Sequence, residues 1–87
     1  MARSSWQMLK LDLQLEAEAA FASTGEMVSV TTDDQSSAMT LKCGDNSMRI
    51  TWVPERNAVR WDTDREYSFE KVDDTASLAR KLIRRVW

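Results

Sequence analysis

The apolar positions of the first two dozen residues obey two periods at once. Leu9, Leu11, Leu13, Leu15, Ala17 and Ala19 alternate with polar residues, as the positions of a half-buried strand do. Yet from residue 5 to about residue 23 nearly every residue is a good helix former and none is β-branched. Ser4 followed by Gln7 has the spacing of a capping box, and Gly25 stands where a glycine closes a helix. Propensity and end signals together outweigh alternation, so this segment is expected to be helical. At about 100° per residue, Trp6, Leu9, Leu13, Ala17 and Ala20 fall on one stripe. Met8, Leu11, Leu15, Ala19 and Ala22 fall on a second, nearly opposite one. A surface helix needs one apolar face; two opposed faces predict a helix covered on both sides.

After Gly25 the chain turns to β-branched and aromatic residues separated by turn formers, the signature of short antiparallel strands. The pattern places strands at 27–32, 38–43, 48–53, 58–62 and 67–69. Turns fall at 33–36, 44–46, 54–57 and 63–64. By period two, Val28, Val30, Met39, Leu41, Met48, Ile50, Trp52, Val59, Trp61, Tyr67 and Phe69 are expected on one buried face. Thr40, Lys42, Arg49, Thr51, Arg60 and Ser68 are expected on the wet one.

Asp73 or Asp74 can cap a last helix running to Trp87. It would carry Ala79, Leu82, Ile83, Val86 and Trp87 on one side and Arg80, Lys81, Arg84 and Arg85 on the other. The predicted fold class is α+β: an N-terminal helix, a four- or five-stranded antiparallel meander and a C-terminal helix, with both helices packed on one face of the sheet. Eighty-seven residues suffice for one such domain, 1–87, and not for two. No internal repeat or linker-like tract interrupts it.

At 43% hydrophobic and 30% charged, the chain has the composition of a globular domain. Its apolar runs stay well short of the roughly 18 residues of a membrane span, and residues 1–6 lead into a charged segment unlike a signal peptide. A cytoplasmic protein with no membrane partner is therefore expected. The formal net charge is −2, and the acidic excess lies in the first half of the chain. The last eight residues hold four basic groups and no acid; a basic helix end ordinarily complements the helix dipole.

There is no histidine and one cysteine, Cys43, which excludes an internal disulfide, histidine catalysis and the usual zinc ligand sets. Asp62-Thr63-Asp64-Arg65-Glu66 opens like an EF-hand calcium loop, but Tyr67 stands at the position that requires glycine and strands replace the flanking helices. Asp33-Asp34 in a turn points two carboxylates in different directions. Cys43, without a neighbouring base, reads as a small buried hydrophobe. The expectation is a protein that is not an enzyme and takes no metal or cofactor.

Binding is the function class that remains. Exposing Met8, Leu11 and Leu15 together would make an unusual apolar patch, so a protein-binding module that forms a homodimer through its first helix is the leading expectation. Trp6 and Trp87 join the candidate partner-binding residues, because tryptophans near chain ends bring large contact area. A small acidic inhibitor or adaptor, such as a phage or mobile-element accessory protein, fits the same size and composition. The alternative is nucleic-acid binding by Arg49 and Arg60 of the wet sheet face with Arg80, Lys81, Arg84 and Arg85 of the last helix. An isoelectric point near 5.0 and aromatics that follow the core pattern speak against it.

Overall fold

The computed structural model describes residues 5–86. Helix α1 spans Ser5–Thr24 and ends where the propensity run ends. Gly25 adopts a left-handed conformation with φ of 78°, and its N–H donates to the Phe21 carbonyl at 2.8 Å. A residue with a Cβ would be strained there, which is why the helix stops on glycine. Ser4 of the expected capping box lies outside the described residues.

Five strands follow: β1 (Ser29–Asp33), β2 (Ala38–Cys43), β3 (Asn46–Val53), β4 (Ala58–Asp62) and β5 (Tyr67–Lys71). They form one antiparallel meander in the order β1-β2-β3-β4-β5. A 3₁₀ turn, Pro54–Arg56, and a left-handed Asn57 carry β3 into β4. The side-chain amide of Asn57 donates to the Val72 carbonyl at 3.2 Å, and the Val72 N–H donates to the Asn57 carbonyl at 2.9 Å. That pair fastens the end of β5 to the start of β4.

Helix α2 spans Thr75–Val86. Of the two candidate caps it uses Asp74, whose carboxylate accepts from the Ser77 N–H at 3.1 Å and from its hydroxyl at 2.9 Å. These bonds to the charged form hold the Asp74 carboxyl below its ordinary pKa, the Ser77 backbone bond being the largest cause. Leu78, Ala79, Leu82, Ile83 and Val86 are buried, as is Thr75, whose hydroxyl donates to the Asp12 carboxylate. That bond and the contact of Arg80 with Glu16 at 3.8 Å join the two helices.

Both helices lie on one face of the sheet, giving the two-layer α+β arrangement that the sequence predicts. The core is the expected first stripe of α1 with the inner side chains of the strands: Trp6, Leu9, Leu13, Ala17 and Ala20 against Met39, Leu41, Met48, Ile50, Val59 and Trp61. Fully burying each Leu or Ile contributes roughly 1.5–3 kcal/mol.

One face assignment is reversed. Residues Asp62 and Tyr67 are paired across the β4–β5 hairpin, and so are Arg60 and Phe69. Directly paired residues share a face. Tyr67 and Phe69 therefore project from the open side of the sheet, not the core. Ser68, paired with Trp61, turns toward the helices, where it was expected to be wet. The four-residue connection sets this register, and Thr63 locks it: its N–H donates to the Glu66 carbonyl at 2.8 Å.

Candidate functional site

The second stripe of α1 is uncovered. Met8, Leu11 and Leu15 are 46%, 43% and 62% exposed, and Ala19 and Ala22 continue the line, also exposed. The helix packs by its first stripe on the sheet and beside α2. Thr32 and Asp34 border it beside Leu11, and Arg80 and Arg84 beside Ala19, without covering either. Phe21 and Met27 add apolar surface where α1 passes the edge strand β1. The sequence reading did not single out these two residues; Phe21 lies outside both stripes of α1, and Met27 is out of phase with the inward Val28 and Val30.

Trp6, expected among the partner-binding residues, is instead a core residue. It is buried, and its ring stacks on Trp52 with centroids 5.9 Å apart and planes at 16°. It sits on the sheet-facing stripe, one turn ahead of Leu9, so the packing of α1 itself covers it. Trp87 lies outside the described residues.

The alternative nucleic-acid set is split by the fold. Arg80, Lys81, Arg84 and Arg85 stand on α2, on the helical side, while Arg49 and Arg60 project from the opposite face of the sheet. Most of the helix cations are already engaged. Besides the Arg80–Glu16 contact, Lys81 pairs with Glu70 at 2.7 Å and Arg85 with Glu66 at 2.6 Å. The Arg85 guanidinium also lies 4.7 Å from the centre of the Trp61 ring. Arg84 has no ion pair among the described residues. The basic helix end thus ties α2 down onto the last strands, and the six arginines and lysines do not form one surface.

The open face of the sheet carries a different grouping. Tyr67 and Phe69 are 62% and 46% exposed. The Arg60 guanidinium lies 4.6 Å from the Tyr67 ring centre and Arg56 lies 5.7 Å from that of Phe69. Arg60 also bonds Asp62 at 3.0 Å, and Arg49 donates to the Ser36 hydroxyl at 3.4 Å.

The acidic turns are held by their own neighbours. Asp33 accepts from the Ser36 hydroxyl at 2.6 Å and from two turn N–H groups; the hydroxyl bond is the main cause that lowers its pKa. Asp34 pairs with Lys10 at 3.4 Å, so the two adjacent acids do point apart. In the segment that resembles a calcium loop, Asp62 goes to Arg60 and Glu66 to Arg85. Among the described residues no group of three side chains of the metal-ligating types comes together. Cys43 is buried with its Sγ 3.9 Å from the Glu26 carboxylate. Burial, and then the Glu26 charge, raise its pKa, which keeps the thiol protonated and a poor nucleophile.

No described helix is long and apolar enough to cross a membrane. No family model matches the chain, and neither the curated proteins nor the solved structures contain a significant match to it. Any functional reading therefore rests on the surfaces just described.

Proposed function

We propose that this protein is a non-catalytic protein-binding module that self-associates through the outer stripe of α1. The observation that carries the reading is the line Met8, Leu11 and Leu15, three large apolar side chains left in solvent on a helix whose opposite stripe is fully packed. A contiguous patch of this kind marks an interaction site more often than a plain surface.

The occupant that fits is a second copy. The exposed positions 8, 11, 15, 19 and 22 are spaced symmetrically about Leu15. Their side chains shrink from Met and Leu on the N-terminal side to Ala on the C-terminal side. A two-fold axis perpendicular to the helix runs the two copies antiparallel in an isologous contact. With the axis at Leu15, Leu11 then meets the partner's Ala19 and Met8 meets the partner's Ala22. Large lies on small at both ends, which lets the i±4 ridge 11–15–19 pack into its copy. Asp12 and Glu18 flank Leu15 about 60° to either side; Glu18 is exposed, and Asp12 is turned to the Thr75 hydroxyl. Such a module acts by occupying a surface, as an inhibitor or adaptor does, and needs no group that turns over substrate.

Light scattering behind a sizing column, across a concentration series, tests the reading. The expected result is a dimer that falls to monomer when Leu11→Glu and Leu15→Glu are combined, with an unchanged helical spectrum. A wild-type monomer at all concentrations, or a double variant that keeps the dimer, would overturn it.

A further inference from the structure

The open face of the sheet lies opposite both helices, and its composition differs from that of the chain as a whole. Lys42, Arg49, Arg60 and Lys71 project from it against Asp33 and Asp62, by the alternation of the paired strands. It is net positive on a protein of net charge −2. The Arg60–Asp62 pair at 3.0 Å is neutral as a unit, which leaves Lys42, Arg49 and Lys71 against Asp33. At the β5 edge of this face stand the two exposed aromatics, Tyr67 and Phe69, side by side with an arginine against each ring.

Aromatic rings with cations against them suit a ligand that is itself flat, aromatic and anionic. Residues two apart on a strand are about 6.8 Å apart. That is roughly twice the 3.4 Å rise between stacked bases along one strand of a duplex. Successive bases can use both rings only when they are unstacked, so a single strand matches the pair and a duplex does not. Arg60 and Arg56 would then supply both phosphate pairing and guanidinium stacking on the bases. The sequence alone masks this grouping, because it assigns both aromatics to the core.

We infer that the open sheet face is a binding platform for single-stranded nucleic acid, with Tyr67 and Phe69 stacking bases and Arg49, Arg56 and Arg60 contacting the backbone. This surface is separate from the outer stripe of α1, and the inference stands whether or not the protein dimerises.

The test is fluorescence anisotropy of labelled homopyrimidine DNA and RNA strands of about a dozen nucleotides, within the span of known single-strand sites, with the wild-type chain at low salt. Binding that weakens steeply as salt rises is expected, with a homopyrimidine duplex competing poorly; the DNA and RNA arms show which backbone is preferred. Tyr67→Ala and Phe69→Ala should each weaken binding about fivefold or more, whereas Tyr67→Phe should retain it. Both side chains are exposed, and thermal melting checks that the alanine variants fold; should either unfold, Arg49→Ala and Arg56→Ala take their place, each expected to weaken binding and lower its salt dependence. No anisotropy change with any strand would overturn the proposal. So would binding that survives these substitutions but is lost in Arg80→Ala with Arg84→Ala, or equal affinity for the duplex.

Discussion

Trp6 at the start of α1 lies flat against Trp52 of β3, with ring centroids 5.9 Å apart and planes at 16°. The pair joins the first turn of the helix to the middle of the sheet, across more than half the chain. Lys10, one turn further on, adds its ammonium 5.8 Å from the Trp6 ring. Offset stacking of this kind contributes about 0.5–1.5 kcal/mol beyond the burial of the rings. Trp6→Ala removes both the stack and a buried ring, and should cost about 3–5 kcal/mol in urea unfolding. Trp52→Ala should cost less, because that ring is only half-buried.

The capping carboxylate of Asp74 makes stability depend on pH in a defined direction. Its pKa is lower in the folded protein than in the unfolded chain, so its contribution is present above the unfolded carboxylate range. It is lost as pH falls through the folded value. Asp74→Ala should therefore melt at a lower temperature than the wild type at neutral pH. The gap should narrow as pH drops below the unfolded value of about 3.9 and close beneath the folded one. A gap of constant size through that range would show that the bonds to Ser77 contribute nothing.

Most of the fold was legible because independent signals agreed. In α1, propensity and a closing glycine point to one helix; of its two apolar stripes, both expected to be covered, the structure buries Trp6, Leu9, Leu13, Ala17 and Ala20 and leaves the other exposed. The β2 and β4 boundaries follow from alternation between clear turns. The face of β5 did not, since hydrophobicity alone votes to bury Tyr67 and Phe69. Register outranks hydrophobicity at this point: a four-residue loop pairs Asp62 with Tyr67, and Asp62 must face outward because Trp61 faces in. Counting the hairpin from Trp61 would have found the exposed aromatics. The placing of Trp6 had the same remedy, since its stripe already assigned it to the core. That the basic residues of α2 face Glu16, Glu66 and Glu70 could not be read from sequence, because ion pairs across elements depend on tertiary packing.

Cys43 offers a probe of the loop that joins α1 to the sheet. Its thiol is buried beneath the Glu26 carboxylate, and both effects keep it protonated. Alkylation by iodoacetamide at neutral pH should be much slower in the native protein than in denaturant. Glu26→Gln removes the neighbouring charge but not the burial, so it should speed the reaction only modestly. A native rate equal to the denatured one would place the thiol in solvent.

Leu13 and Leu15 stand two positions apart on α1 and should fail in opposite ways. Leu13 is fully buried in the core, while Leu15 is 62% exposed at the centre of the outer stripe. Leu13→Ala deletes core volume and should cost about 2–5 kcal/mol of stability. Leu15→Ala leaves no cavity, and alanine is at least as good a helix former, so at concentrations where the chain is monomeric its unfolding midpoint should hardly move. If the outer stripe is a self-association surface, the order reverses for assembly. Leu15→Ala then weakens the dimer, because the side chain on the two-fold axis is lost from both subunits at once, whereas Leu13→Ala, assayed while still folded, leaves the dimer intact. Urea unfolding and light scattering on the two variants separate these roles. A Leu15→Ala protein as destabilised as Leu13→Ala would return the stripe to the core, and one with unaltered mass at every concentration would remove Leu15 from any self-contact.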